Sequence, residues 1–118
     1  MNKFSHLHVG VDIENVDRFK LDFKKNKVFL NRIFSEDELK YCFSKQNPSS
    51  HLAARFVAKE AVVKAIYSLG KKPPALNKIN IKNSKKGVPT IDLKGFDVRI
   101  SLSHCRDKAI AFALISKK

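Results

Sequence analysis

One segment limits the fold of this 118-residue chain more than any other: NPSSHLAARFVAKEAVVKAIYSLGKKPP, residues 47–74. Ser49 or Ser50 is a suitable N-cap for a helix, and Gly70 followed by two prolines is a typical stop signal. Apolar residues lie on two sides of this predicted helix, and a helix that is apolar nearly all round belongs at the centre of a fold. The two sides consist of Leu52, Phe56, Val63 and Ile66, and of Ala54, Ala58, Ala61 and Ala65.

After the prolines, the apolar pattern changes to a period of two, which is typical of strands. The predicted strands are residues 78–83, 88–93, 97–104 and 108–116, and turn-forming residues separate them at 86–87, 95 and 106–107. Consecutive strands joined by short turns pair antiparallel. The predicted fold class is therefore α+β, an antiparallel sheet meander with a long central helix and shorter helices packed on it.

The N-terminal part adds one strand and two short helices. HVGVDI, residues 8–13, reads as a strand that joins the sheet. Phe19 and Phe23 are four residues apart, as on one side of a short helix. A second helix begins in FSEDELKYCF, where Ser35 as N-cap and Glu38 three residues later form a capping box. The length and the lack of a linker predict a single domain over residues 1–118.

The net charge of +13 comes from 24 lysine and arginine residues against 11 aspartate and glutamate residues. Such a surface attracts polyanions, but charge alone does not choose between nucleic acid, phosphorylated cofactors and acidic proteins. A merely solvated lysine surface is a further alternative. Nucleic-acid binding favours aromatic side chains among the basic ones, and the lysine-rich segment KINIKNSKKG has none. We therefore expect no nucleic-acid partner.

Localisation and redox state follow from other patterns. No apolar run approaches the roughly 18 residues of a membrane span, and MNKFSHLHVGVD lacks the apolar core of a signal peptide. We expect a cytoplasmic protein with no membrane partner. Cys42 and Cys105 lie far apart and outside any CxxC pattern, so we expect two free, buried thiols rather than zinc ligands.

Three polar features interrupt the apolar segments. Asp12 lies in a predicted strand, where aspartate is disfavoured, and either an edge position facing water or a ligand would explain it. Glu60 and Lys64 have the spacing of a surface ion pair, but their neighbours are Ala, Val, Phe and Ile, so we expect partial burial. His104 ends the strand ISLSH, where a histidine is more often a surface or capping residue than a ligand.

The two carboxylates indicate a metal site. Carboxylates from different elements can hold a hard cation such as Mg²⁺, which keeps coordination positions for phosphate oxygens, and nearby basic residues bind phosphate. No GxxxxGK[ST] loop and no GxSxG nucleophile elbow occur in the chain, which argues against P-loop and α/β-hydrolase chemistry. From the residues alone we predict Mg²⁺-assisted phosphoryl or phosphodiester transfer that uses Asp12 and Glu60.

Five segments then show a resemblance to a known family: VGVDIENVDRF, RIFSEDELKYC, LAARFVAKEAVVKAI, GVPTIDL and ISLSHCRDKAIAFAL. Their order and spacing resemble those of holo-[acyl-carrier-protein] synthases, the small phosphopantetheinyl transferases of fatty-acid synthesis. The combination of G-x-D with F-x-x-K-E-A-x-x-K is the most specific part. The resemblance implies transfer of the 4′-phosphopantetheine arm of coenzyme A to a serine of acyl carrier protein, with release of adenosine 3′,5′-bisphosphate.

The resemblance also implies roles for individual residues. Asp12 and Glu60 would bind Mg²⁺, with Mn²⁺ as the alternative, and Lys64 would contact phosphate as the third catalytic residue. Arg18 would meet the acidic carrier protein, and family members of this length are homotrimers with active sites between subunits. The base for the serine proton stays open between Asp12, Glu60 and a water on the metal. Coenzyme A would lie against Arg55, Lys59, Lys64, Gly87, Pro89 and His104.

Four positions depart from the family pattern. Val62 and Val63 stand where an aromatic and a small polar residue are common, and the resemblance implies that the missing hydroxyl at position 63 affects one hydrogen bond to the ligand but not the metal. Val88 replaces a frequent lysine in the G-x-P turn, so Lys85 or Lys86 would make that phosphate contact. Cys105 replaces a common threonine and weakens a nucleotide contact. A trimeric scaffold without catalysis would not need to keep both carboxylates and their lysine, so we expect an active enzyme.

Overall fold

The computed structural model describes residues 3–118, which form three helices, two 3₁₀ turns and five strands. The helices are α1 (Lys27–Ile33), α2 (Glu36–Phe43) and α3 (Pro48–Ser68). The strands are β1 (Leu7–Asn15), β2 (Ile81–Asn83), β3 (Pro89–Ile91), β4 (Phe96–His104) and β5 (Lys108–Lys117). The 3₁₀ turns are Val16–Phe19 and Leu76–Lys78.

The strands form two antiparallel sheets. The larger sheet has the order β1-β5-β4, and β5 pairs with both neighbours. β2 and β3 form a separate hairpin, which adjoins β4 at the bridge between Leu93 and Phe96. The predicted α+β class, the antiparallel turns and the place of the N-terminal strand in the sheet are confirmed. The predicted meander divides between β3 and β4, where one bridge takes the place of a ladder.

α3 lies against the inner side of the three-stranded sheet and occupies the core. Small residues let the two elements approach closely, and Gly10 in β1 makes the closest contact. A Cβ atom on Gly10 would lie 1.9 Å from the backbone oxygen of Ala61, so a larger residue does not fit there. This contact fixes β1 against the second half of α3. The buried alanines of the contact are Ala58, Ala61 and Ala65 on α3, and Ala109, Ala111 and Ala113 on β5.

The ends of the helices follow local signals with one exception. α2 begins with the predicted capping box, in which Ser35 Oγ accepts from the Glu38 amide and the Glu38 carboxylate accepts from the Ser35 amide. α3 begins two or three residues earlier than predicted, at Pro48, so Ser49 and Ser50 lie inside the helix and are not its caps. Proline is favoured at the first helical position because the amide there makes no hydrogen bond within the helix, so the missing N–H of proline has no cost. Within residues 3–118 no helix is long and apolar enough to cross a membrane.

The predicted short helix with Phe19 and Phe23 on one side is wrong. The helical segment there is the 3₁₀ turn Val16–Phe19, and the chain leaves it before Phe23. Phe19 is buried and its ring lies 5.1 Å from that of Phe56, whereas Phe23 is exposed and lies 5.1 Å from the Phe43 ring. A short helix depends on tertiary packing, and here the two rings pack against different helices.

The cysteines also differ from expectation. Both are free, and Cys42 is buried, where the apolar surroundings raise the pKa of its thiol to about 11. Cys105, which was expected to be buried, is exposed because it lies in the turn between β4 and β5.

The outer side of the three-stranded sheet is apolar and exposed along β1 and β5. β1 alternates between inward residues such as Gly10 and outward residues such as Val11, and β5 alternates in the same register. The outward side chains are each at least 40% exposed, which is unusual for large apolar residues beside one another. We call this surface the outer sheet face; it consists of Val9, Val11, Ile13, Ile110 and Phe112.

Candidate active site

Three charged residues predicted to act together meet where β1 crosses α3. The Lys64 ammonium lies 3.3 Å from Asp12 Oδ1 and donates to the Val11 carbonyl oxygen at 3.0 Å. Glu60 is one helical turn before Lys64 on the same side of α3. We call Asp12, Glu60 and Lys64 the carboxylate cluster.

The electrostatics of this cluster favour a cation. Partial burial and then the nearby Asp12 carboxylate raise the pKa of Glu60, and the charges of Lys64 and Arg18 oppose that rise only in part. Two carboxylates therefore share a partly buried site with one close lysine. Among residues 3–118 no three His, Cys, Asp or Glu side chains converge. Two carboxylates are a donor set that suits Mg²⁺, which retains water and substrate oxygens.

Arg18 lies next to the carboxylate cluster. Its guanidinium is 2.5 Å from Glu14 Oε2, and it lies over the Phe56 ring at 5.1 Å. Half of the side chain remains exposed. Arg18 thus presents a positive charge close enough to Glu60 to oppose the rise in its pKa.

A second group of charges surrounds the Tyr41 ring. The guanidinium of Arg55 lies 4.1 Å from the ring centroid and the ammonium of Lys45 lies 4.6 Å from it. The His51 ring meets the same ring edge-on at 5.8 Å. Burial and then the charges of Arg55, Lys45 and His104 lower the pKa of His51. We call Lys45, His51, Arg55 and His104 the basic cluster.

The basic cluster is arranged for an anion. Arg55 is buried, and its Nε atom has no hydrogen-bond partner within the described residues. A buried donor without a partner is unfavourable in a folded protein. The charges of Arg55 and Lys45 lie around the same ring and repel one another. A phosphate beside them would offset that repulsion. Sequence reasoning predicted Arg55 and His104 but missed Lys45 and His51; the i,i+4 spacing of His51 and Arg55 near the start of α3 was an available signal.

The two clusters lie on opposite sides of α3. At about 100° per residue, Glu60 and Lys64 project about 140° and 180° away from Arg55 around the helix axis. His51 projects only about 40° from Arg55. The predicted site residues therefore do not form one pocket within a single chain.

Lys59 takes no part in either cluster. Its side chain is fully buried, and its ammonium lies 2.6 Å from Glu38 Oε1 and donates to the Leu76 carbonyl oxygen at 2.8 Å. An enclosed ammonium cannot touch a ligand, so the predicted direct contact with coenzyme A does not hold in this structure. Sequence reasoning missed Glu38 as the partner because it was already explained as a capping-box residue.

Gly87 and Pro89 lie on the β2–β3 hairpin. Gly87 has φ +79° in the turn, a backbone conformation that favours glycine. The turn is closed by hydrogen bonds from the Gly87 amide to Ser84 and from the Ser84 amide to Val88. Lys82, Lys85 and Lys86 are exposed around it. The hairpin therefore adds a basic edge next to the larger sheet.

Comparison with known proteins agrees with this architecture. A sequence model of the 4′-phosphopantetheinyl transferase superfamily matches residues 8–113. A holo-[acyl-carrier-protein] synthase from Thermodesulfovibrio yellowstonii is 43% identical over 111 residues, which cover 92% of this chain and 96% of that protein. The solved holo-(acyl-carrier-protein) synthase from Bacillus anthracis, in complex with CoA (3′,5′-ADP), superposes with a TM-score of 0.78 at 26% identity over 94% of this chain and 96% of that chain. The Helicobacter pylori holo-[acyl-carrier-protein] synthase in complex with coenzyme A gives 0.75 at 30% identity, covering 92% and 99%.

Proposed function

Because the chain belongs to the holo-[acyl-carrier-protein] synthases of the 4′-phosphopantetheinyl transferase superfamily, we propose that it converts apo acyl carrier protein to the holo form in fatty-acid synthesis. The chain is a transferase, and coenzyme A is the proposed donor because related enzymes have been solved with it. We further propose that residues 1–118 form a single catalytic domain that works in the cytoplasm. The observation that carries the proposal is the convergence of Asp12, Glu60 and Lys64 at the β1–α3 crossing.

The proposed reaction exchanges one phosphorus–oxygen bond for another. The serine oxygen of the carrier protein forms a bond to the phosphorus that bears pantetheine. The bond from that phosphorus to the bridging oxygen of the pyrophosphate breaks, and its electron pair leaves on adenosine 3′,5′-bisphosphate. The serine proton passes to a base. Negative charge grows on the leaving oxygen, so the site has to supply positive charge there.

Asp12 and Glu60 are the proposed ligands for Mg²⁺, and Mn²⁺ has the same preference for oxygen. When bound, the metal neutralises charge on the pyrophosphate oxygens. Lys64 is half exposed and its ammonium already lies within 3.3 Å of the Asp12 carboxylate. It is therefore well placed to donate to a phosphate oxygen at the same point and to add a second positive charge.

The basic cluster is the proposed site for a phosphate of coenzyme A. Arg55 supplies a guanidinium held against the Tyr41 ring, and His51, Lys45 and His104 supply further donors around it. We propose that the Gly87-x-Pro89 turn lies along the nucleotide, with Lys85 or Lys86 replacing the lysine that position 88 lacks. Lys59 is left out of the direct contacts because it is enclosed.

An acidic carrier protein is the proposed partner of Arg18. The chain carries a net charge of +13, which increases the rate of encounter with an acidic protein. Arg18 is held by Glu14 and by two aromatic rings, so little side-chain entropy is lost when a carboxylate binds to it.

We propose that the chain assembles as a homotrimer through the outer sheet face. That face exposes five large apolar side chains on two adjacent strands, and their burial against a second copy would stabilise the assembly. The opposite positions of the two clusters on α3 give an independent reason. One subunit would supply the carboxylate cluster and its neighbour the basic cluster, so each active site would lie between two subunits.

The direct test of the proposed reaction is a mass measurement. Apo acyl carrier protein is incubated with the protein, coenzyme A and Mg²⁺, and the carrier is weighed by mass spectrometry. We expect a gain equal to one phosphopantetheine arm, which EDTA prevents and added Mg²⁺ restores. A competent apo carrier whose mass does not change would contradict the proposal.

The shared active site is tested by mixing two variants that are each inactive. Glu60→Gln disrupts the carboxylate cluster and Arg55→Ala disrupts the basic cluster. In mixed trimers, an Arg55→Ala subunit supplies an intact Glu60 and a Glu60→Gln subunit supplies an intact Arg55, so some sites are complete. We expect co-expressed variants to regain part of the activity. If light scattering shows that the co-expressed variants form trimers and these trimers stay inactive, both clusters act within one chain.

A further inference from the structure

A buried ion pair joins four elements of the chain. Glu38 Oε1 accepts from the Lys59 ammonium at 2.6 Å and from the Ser35 amide at 2.8 Å, and Glu38 Oε2 accepts from the Ile81 amide at 2.9 Å. Lys59 also donates to the Leu76 carbonyl oxygen at 2.8 Å. Both charged side chains are 0% exposed. The pair therefore connects α2, α3, the second 3₁₀ turn and the first residue of β2.

The connections of this pair enclose the segment that leads into the β2–β3 hairpin. Leu76 and Ile81 lie at the two ends of that segment, and Ile79 between them is fully buried. Ser35 Oγ also donates to Asn80 Oδ1 at 2.7 Å, so the capping residue of α2 holds the same segment. A two-stranded hairpin is only marginally stable alone, and its place depends on what holds its base.

We propose that Lys59 and Glu38 are positioning residues for coenzyme A, because their pair fixes the β2–β3 hairpin relative to α3. The inference rests on the proposed function, in which the Gly87-x-Pro89 turn of this hairpin lies along the nucleotide. Lys59 projects about 40° from Arg55 around α3, so the pair and the basic cluster lie on the same side of the helix. The hairpin is thus held to the side of α3 that carries the proposed phosphate site.

Stability alone does not account for a pair of this kind. A buried ion pair adds little to stability compared with apolar residues of the same volume, because both charges lose their hydration. An apolar pair could not hold the Ile81 amide and the Leu76 carbonyl oxygen at fixed points. The pair instead gives directional bonds to two backbone groups at the ends of one segment.

The test compares the affinity for coenzyme A in wild type, Lys59→Met and Glu38→Gln. Dissociation constants are measured by calorimetry with Mg²⁺, and KM values in the carrier-modification assay, well below each melting temperature. A displacement of about 1 Å in a supporting group lowers binding or rate about tenfold to a hundredfold, so we expect the Kd and KM for coenzyme A to rise at least about tenfold. The KM for carrier protein and the half-saturating Mg²⁺ concentration should stay near wild type.

Ile115→Ala is the control for a general loss of stability. Ile115 is fully buried on β5 and makes none of the hydrogen bonds of the pair, so its truncation lowers the melting temperature through a cavity. We expect this variant to bind coenzyme A like wild type. An equal loss of affinity in Ile115→Ala, or wild-type affinity in both pair variants, would overturn the inference.

If Lys59→Met does not fold, Glu38→Gln tests the proposal by itself, because this substitution keeps the side-chain volume and the acceptor oxygen of the capping box. Failure of the proposed function would give a different result, because wild type itself would then neither modify the carrier protein nor bind coenzyme A. The inference concerns only the difference between the variants and wild type.

Discussion

Glu38 and Glu60 are both glutamates beside a lysine of α3, but the two sites differ in burial and in how fully the charge is compensated. Glu38 is fully buried, and its two oxygens accept from Lys59 and from two backbone amides. Glu60 is partly buried beside a second carboxylate, and its pKa is raised because the nearby positive charges do not compensate for that burial and repulsion. The first site is complete within the chain. The second site has negative charge that is only partly compensated, so it can still bind a cation.

The contrast separates a structural charge on α2 from a charge on α3 that is proposed to bind a ligand. A buried charge with its full set of donors stabilises one arrangement of the chain and has no capacity left for a ligand. A charge that remains under-compensated keeps that capacity. The same substitution, Glu→Gln, should therefore have opposite consequences at the two positions.

The largest effect is expected at the open site. Glu60→Gln and Asp12→Asn should each lower turnover about a thousandfold or more, because each removes a carboxylate from the proposed metal site. The melting temperature without metal should stay the same or rise for Glu60→Gln, because the raised pKa shows that its ionised form is disfavoured in the folded chain. Mass spectrometry of the carrier protein measures turnover, and thermal unfolding measures the melting temperature. A variant with near wild-type turnover would refute the metal assignment.

The closed site should respond in the opposite way. Glu38→Gln leaves the enclosed Lys59 charge without a counter-ion, and breaking such a pair lowers the free energy of unfolding by about 3 kcal/mol or more. Urea unfolding gives this value, and the Mg²⁺ dependence of turnover should not change. Glu36→Gln, at an exposed position in the same helix, is the matched control and should change neither property. Equal stability of Glu38→Gln and Glu36→Gln would remove the contrast between the two sites.

A smaller effect should locate the partner surface beside the open site. Arg18→Ala is expected to raise the KM for acyl carrier protein about tenfold, with little change in kcat, and the effect should fade at high salt. Lys117→Ala removes the same charge at an exposed strand end and serves as the control. A change in kcat alone would contradict a docking role for Arg18.

The smallest expected effect is a pH dependence in the basic cluster. Burial and neighbouring cations lower the pKa of His51, so the unfolded chain binds its proton more tightly than the folded chain does. The stability of the free protein should then fall as the pH drops through about 6.5. A bound phosphate reverses the preference, so coenzyme A affinity should increase about threefold between pH 8 and pH 6.

Calorimetry across this pH range checks the prediction, with His51→Gln and the exposed His6→Gln compared side by side. His51→Gln should weaken the pH dependence of the affinity for coenzyme A, and His6→Gln should leave it unchanged. The same slope in both variants would assign the proton to another group.

Much of the fold could be predicted because its signals are local. The capping box at Ser35, the end of α3 before Gly70 and the turns between the strands each depend on residues close in sequence. Period-two alternation correctly indicated β4 and β5. The helix assigned to Phe19 and Phe23 failed because each ring packs against a different distant partner, which no local pattern records.

Patterns in the sequence were enough to establish the α+β class, the central place of α3 and the charged residues from which a site could be built. Which of those charges are available to a ligand depended on the tertiary structure. Lys59 and Glu60 are adjacent and equally charged in magnitude, yet Lys59 is enclosed and Glu60 is open. The reason is that burial and compensation of a charge depend on which distant group arrives beside it, Glu38 in one case and Asp12 in the other.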